Sequence, residues 1–194
     1  MNHIRALVFD LDGTLVTSNL NFSAIRAEIG CAADEDVLEY LERLEPDERA
    51  EAESVIHRHE VEDALQSEWI AGAREFVNDL REANFPLAIL TRNSDYSSRV
   101  KISRNQIPIP YLVTRENSKP KPDPQALNRI AASFSIAPEK VLMVGDYKYD
   151  LQAGRNAAMP TCLVNFEGTP DYLHLADFSF STVAELHREF FAKR

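Results

Sequence analysis

Beyond Gly72, short apolar runs alternate with amphipathic stretches, and this alternation restricts the folds open to the chain more than any other feature. After the helical pattern of "AREFVNDLREANF", "PLAILT" is followed by "DYSSRVKISRNQI", "YLVT" by "DPQALNRIAASFSI", and "KVLMVGD" by "LQAGRNAAM". "TCLVN" closes the series ahead of a last helix, "VAELHREFFAKR". A further apolar run, "IRALVFD", begins at Ile4. Runs so rich in apolar and β-branched residues belong to strands covered on both faces. The expected fold is therefore α/β, a doubly wound, Rossmann-like parallel sheet. From about Phe22 to Trp69 the pattern is instead helical and acidic, broken near Gly30 and Pro46. The expected organisation is a core of residues 1–16 and 73–194, with a small all-α segment, residues 17–72, inserted after the first strand.

Charge follows the same division. Between Val16 and Gly72 there are 15 Asp and Glu against 4 Lys and Arg, whereas the remaining residues carry 16 against 17. The whole net charge of −10 thus lies in the inserted segment. Solvated helix faces account for such a run, and a surface of this sign repels nucleic acid. Cys31 and Cys162 stand far apart, in neither a disulfide nor a zinc pattern, so a cytoplasmic setting is expected. No apolar run approaches the roughly 20 residues of a membrane span. The expectation is a soluble, unprocessed protein with no membrane partner, and a monomer by default.

In doubly wound sheets reactive groups gather beyond the carboxyl ends of the strands, where strand order reverses. Asp10 and Asp12 follow the first strand, Thr91 and Arg92 follow "PLAIL", and Asp146 follows "VLMVG", so all should face one crevice. Two carboxylates spaced two apart point to the same side and repel. Gly13 and Thr14, directly after them, suit a tight turn. Asp150 lies four residues beyond Asp146, close enough for both to reach one place, although a helix N-terminus also favours an acid there. Carboxylates converging in this way call for a hard cation with oxygen ligands, and Mg²⁺ suits few carboxylates plus water and a phosphate. In "NSKPKPDPQ" the prolines stiffen the backbone around Lys119 and Lys121, and either ammonium can neutralise a carboxylate and a phosphoryl oxygen. "LTRNS" places the Thr91 hydroxyl and following backbone N–H groups at a helix start, which makes either an anion site or an ordinary cap.

With these elements in order, the chain resembles the haloacid-dehalogenase-like hydrolase superfamily, most of whose members are Mg²⁺-dependent phosphatases. The matching motifs are "DLDGTLV" at 10–16, "LTRN" at 90–93, "KPKPDP" at 119–124 and "GDYKYD" at 145–150. The insert after the first motif resembles the helical cap of the subgroup that includes phosphoglycolate phosphatases and β-phosphoglucomutases. The resemblance implies that Asp10 attacks phosphorus to give an aspartyl-phosphate and that Asp12 protonates the leaving oxygen and then deprotonates water. It implies that Thr91 and Lys121 bind the phosphoryl group. Mg²⁺ would lie on the carboxylates of Asp10 and Asp146 and the main-chain carbonyl of Asp12, with Asp150 as a further ligand or an orienter of water. Lys121 is preferred to Lys119 because its Lys-Pro-x-Pro run stands directly before the helix.

An acid at position 12 favours a phosphatase over a dehalogenase, since a halide leaves without a proton and an alkoxide does not. No lysine lies between Val16 and Gly72, which removes the Schiff-base route of a phosphonatase. Arg26, Arg92 and Asn93 are candidates to meet the rest of a small phosphorylated metabolite such as phosphoglycolate. Arg26 is equally placed to pair with neighbouring acids on the surface, and His57 and His59 read as exposed helix residues. A phosphomutase, or a phosphoryl-binding domain without activity, are the alternative readings.

Overall fold

The central strands, Ala6–Phe9, Leu87–Leu90 and Val141–Gly145, are apolar on both faces and give neither face to water. The computed structural model describes residues 1–192. Strands β1 (Ala6–Phe9), β2 (Leu87–Leu90), β3 (Tyr111–Val113), β4 (Val141–Gly145), β5 (Thr161–Val164) and β6 (Phe178–Phe180) form one parallel sheet in the order β3-β2-β1-β4-β5-β6. The inserted segment holds α1 (Phe22–Ile29), α2 (Val37–Glu42) and α3 (Pro46–Ala64). It is followed by α4 (Ala73–Glu82), α5 (Asp95–Asn105), α6 (Gln125–Phe134), α7 (Lys148–Asn156) and α8 (Val183–Phe191).

Alternation along β1 divides the core. Leu7 and Phe9 pack with Phe76, Val77 and Leu80 of α4 and with Leu186 and Phe190 of α8. Ala6 and Val8 face the opposite way, toward Leu127 and Ile130 of α6 and Ala153 of α7. The helices of the insert have a small core of their own in Ile25, Val37, Leu41, Ala52 and Ile56. α1 ends where Gly30 takes a left-handed φ of 73°, and Pro46 opens α3 at a position that needs no N–H donor. The strands leading into and out of the insert are tied together: Thr17 N–H donates to Glu68 O at 2.8 Å and Ile70 N–H to Leu15 O at 2.9 Å.

Several boundaries differ from the sequence reading. The sheet continues past "TCLVN" to β6, whose exposed Ser179 interrupts the apolar run that marks the other strands. α3 stops at Ala64 rather than near Trp69, because Trp69 leaves the helix to bridge Val16 and to donate its indole N–H to Asn105 O at 2.7 Å. α6 begins at Gln125, with Pro124 at its cap, instead of at Asp123. The reading of "VAELHREFFAKR" as a helix extends over Lys193 and Arg194, which lie outside the described residues. Among those residues no helix is long and apolar enough to cross a membrane.

β1 lies between β2 and β4, so the order of connection reverses at its C-terminal end. Phe9 is in register with both Ile89 and Val144, which brings the residues just after β1, β2 and β4 to one rim.

Phe76 meets Phe9 edge-on at 5.9 Å and Phe190 at 5.5 Å between ring centroids, and it is fully buried. Phe76→Ala is expected to lower stability by about 3–5 kcal/mol, read from urea unfolding.

Candidate active site

Asp10 stands one residue past β1, and its N–H donates to Val144 O at 2.9 Å, so its backbone continues the sheet. Gly13 turns the chain immediately afterwards with φ 71°, a conformation that strains other residues. A Cβ at Gly13 would lie 2.1 Å from Asp146 Oδ2, and one at Gly145 would lie 2.2 Å from Asp150 Cγ. Both glycines therefore leave space for a carboxylate to approach the backbone.

Asp10, Asp146 and Asp150 converge, with one carboxylate oxygen from each lying within 4.8 Å of the others. Lys121 balances part of this charge. Its Nζ donates to Asp10 Oδ1 and Asp150 Oδ1, both at 2.6 Å, and to Leu90 O at 2.9 Å. Burial works against the ammonium, but the charges of Asp10 and Asp150 outweigh it and raise the Lys121 pKa. Three carboxylates against one ammonium leave an excess of negative charge. Burial, with the charges of Asp10 and Asp150, pushes Asp146 up to about 8, and burial pushes Asp150 up to about 6 against the pull of Lys121. A donor set of hard oxygens that resists ionisation when alone fits a divalent cation.

Asp12 turns away from this cluster. Its Oδ1 accepts from Lys101 Nζ at 2.5 Å and its Oδ2 from Asn93 Nδ2 at 2.6 Å. Burial raises its carboxyl to about 6, with Lys101 opposing. Thr91 is buried, and its hydroxyl accepts from Asn93 N–H at 3.2 Å. Asp10, Asp12, Thr91, Arg92, Asn93, Lys121, Asp146 and Asp150, with Arg26 from α1, line one cavity of about 560 Å³. Lys119 lies apart, with its side chain 71% exposed and 3.9 Å from Asp123.

Arg92 and Arg26 already have partners. Arg92 donates to Asp36 Oδ1 at 2.6 Å and lies over the Tyr149 ring at 4.2 Å, and Tyr149 donates to Asp36 Oδ2 at 3.1 Å. Arg26 donates to the Glu35 main-chain carbonyl at 2.8 Å. That contact is to backbone, not to the acidic side chains considered in the sequence reading. His57 is exposed, while His59 is half-buried and lies 3.0 Å from Glu28.

Several polar residues at this site were absent from the sequence reading. Glu60 of α3 is buried and accepts from Arg115, from Ser94 N–H at 3.2 Å and from Ser97 Oγ at 3.2 Å. Asp63, one helical turn on, accepts from Lys101 Nζ at 2.6 Å. The signal was present in α5 and its cap, where Ser94, Ser97, Ser98 and Lys101 recur at helical spacing and are all buried. A polar stripe of that period marks a helix face packed on charged partners.

The haloacid dehalogenase-like hydrolase profile matches residues 17–164 of the chain. This chain belongs to that family. It is a hydrolase with the six-stranded Rossmann-like core described above. A haloacid dehalogenase-like hydrolase domain-containing protein of Arabidopsis thaliana is 30% identical over 192 residues, 92% of this chain and 76% of its own length. Pyrophosphatase PpaX of Halalkalibacterium halodurans is 29% identical over 84% of each chain. The crystal structure of a predicted phosphoglycolate phosphatase from Haemophilus somnus superposes with a TM-score of 0.77 at 18% identity, covering 98% of this chain and 99% of the other. At that identity the likeness is one of fold.

The raised carboxyl of Asp146 makes a prediction about pH. Its folded pKa lies above the ordinary aspartate value, so between about pH 4 and pH 8 the folded state holds more protons than the unfolded one, and stability falls as pH rises. A cation on the cluster removes this penalty. Millimolar Mg²⁺ should therefore raise the melting temperature more at pH 8 than at pH 5.5, as measured by calorimetry against a chelated control.

Proposed function

We propose that the chain is a divalent-cation-dependent phosphomonoesterase working through an aspartyl-phosphate on Asp10. The observation that carries this reading is the position of Asp10, which holds Lys121 at 2.6 Å beside two further carboxylates under a cavity that Asp12 also lines. Asp10 attacks the phosphorus of the ester in line. Asp12 gives its proton to the ester oxygen, the alcohol leaves, and Asp12 then takes a proton from the water that opens the aspartyl-phosphate. A carboxyl held near pKa 6 by burial is suited to both transfers near neutral pH. Lys121 and the Thr91 hydroxyl hold the phosphoryl oxygens.

The carboxylates of Asp10, Asp146 and Asp150 and the main-chain carbonyl of Asp12 would hold Mg²⁺, which neutralises charge on the transferring phosphoryl group. Gathering these carboxylates without such a cation leaves the burdened ionisation of Asp146 described above.

Residues 17–72 form a cap over the cavity, and residues 1–16 and 73–194 form the core. The cap brings Arg26 to the cavity wall, while Arg92 and Asn93 come from the core. A small phosphorylated metabolite with a second anionic group fits this surround, because such a group can replace Asp36 as the partner of Arg92. The pyrophosphatase among the relatives and the predicted phosphoglycolate phosphatase among the structural neighbours both carry names that fit such a substrate.

Asp10→Asn should lower turnover of 4-nitrophenyl phosphate by about a thousandfold or more, and retained activity would remove the nucleophile assignment. Lys121→Ala should lose at least about a hundredfold, whereas Lys119→Ala stays within about twofold, since its ammonium is in solvent. Equal losses in the two variants would show that the buried position of Lys121 does not decide the role. A screen of phosphorylated metabolites at fixed Mg²⁺ identifies the substrate.

A further inference from the structure

Lys101 is fully buried, and nothing in the reaction described so far uses it. Its ammonium bridges two carboxylates of different origin, Asp12 Oδ1 at 2.5 Å and Asp63 Oδ2 at 2.6 Å. Asp63 is itself fixed from the other side: its carboxylate accepts from Ser18 Oγ at 2.9 Å and from Asn19 N–H at 2.5 Å. A continuous polar chain therefore runs from the linker after β1, through Asp63 near the end of α3 and Lys101 on α5, to Asp12 at the cavity. On the far side Asn93 Nδ2 holds Asp12 Oδ2 at 2.6 Å. Both oxygens of Asp12 are thus held in a fixed orientation.

We propose that Lys101, anchored by Asp63, is a positioning residue that aims the Asp12 carboxyl group at the leaving-group oxygen. This inference rests on the phosphomonoesterase reading above. Both oxygens accept, Oδ1 from the Lys101 ammonium and Oδ2 from the neutral Asn93 amide; the positive charge beside Oδ1 keeps the acid proton on Oδ2, whose other lone pair still accepts from Asn93 Nδ2. As the bond between phosphorus and the ester oxygen breaks and the bond from Asp10 forms, the proton on Oδ2 passes to the ester oxygen and an alcohol leaves. Asp12 is left as a carboxylate facing Lys101. Water then attacks the aspartyl-phosphate and gives a proton back to Oδ2, releasing inorganic phosphate and restoring Asp10. A small rotation of the donor oxygen is enough to weaken such a transfer.

A mere packing role and a positioning role differ in one measurable respect. Nitrophenolate leaves without a proton, whereas an alkoxide needs one. The value of kcat/KM reports only steps through the first irreversible one, so it excludes the later attack by water. Lys101→Met should lower kcat/KM for glycerol 2-phosphate by about a hundredfold or more, the usual range of an acid's contribution, and for 4-nitrophenyl phosphate by less than about tenfold. Lys101→Arg should return the ratio of the two to within about threefold of the original protein. Asp63→Asn keeps the ammonium but loosens its anchor, and should shift the ratio in the same direction by a smaller factor. Circular dichroism establishes which variants are folded, and if Lys101→Met is not, Lys101→Arg and Asp63→Asn decide. Equal losses on both substrates in folded Lys101→Met, or no change in the ratio for folded Asp63→Asn, would overturn the inference while Asp10→Asn remained inactive. An active Asp10→Asn would instead overturn the underlying reading.

Discussion

The contact on which the site depends is the buried ammonium of Lys121, set between Asp10 and Asp150 and held by Leu90 O. Three carboxylates brought to the rim of a parallel sheet repel one another, and burial worsens the repulsion by removing solvent. Lys121 relieves part of it and connects three elements at once: the end of β1, the end of β2 and the start of α7. The two glycines against the carboxylates serve the same arrangement. Gly13 and Gly145 leave the space that Asp146 and Asp150 occupy, so a side chain at either would disrupt the charge balance before it disturbed the core.

A second set of charges joins the insert to the sheet. Asp36, Glu60 and Asp63 come from the acidic segment, and they meet Arg92, Arg115 and Lys101 from the core. Glu60 and Asp63 are buried, so each needs its cation: removing one partner of such a pair costs far more than an exposed pair contributes. Asp36 does two things, capping α2 through Leu38 N–H and Glu39 N–H while accepting from Arg92 and Tyr149. The net charge of the insert is thus more than a solvated face. Three of its acids are directed inward: Asp36 and Glu60 lie against Arg92 and Arg115, which border the cavity, and Asp63 lies against Lys101, which holds Asp12 of the cavity wall.

Much of the fold was legible because its signals are local. Apolar runs, glycines and prolines mark β1, β2, β4, β5, the end of α1 and the start of α3 from sequence alone. β6 was not legible, since an exposed serine, Ser179, stands between its two phenylalanines and breaks the apolar run that marked β3 at the other edge. The end of α3 was missed because Trp69 leaves the helix for a contact with Asn105, and no local rule predicts a distant acceptor. At the site, the short spacings within "DLDGT" and "GDYKYD" were readable, whereas Lys101 was hidden in a helix whose buried face is polar. Its stripe of Ser94, Ser97, Ser98 and Lys101 has the period of a core face but none of its chemistry.

By itself the sequence determined the type of sheet and the carboxylates that follow β1 and β4, because periodicity and chain order are properties of neighbours along the chain. In "KPKPDP" it favoured Lys121 over Lys119 only by position before the helix, and the folded chain gives the physical difference: Lys121 is buried against Asp10, and Lys119 is in solvent. Only the fold, likewise, brought Asp63 and Asp12 to the same ammonium across 38 and 89 residues of sequence. The physical reason is the same in both cases. A charge gains or loses its solvent according to what the whole chain places around it, and that is decided by packing between distant segments.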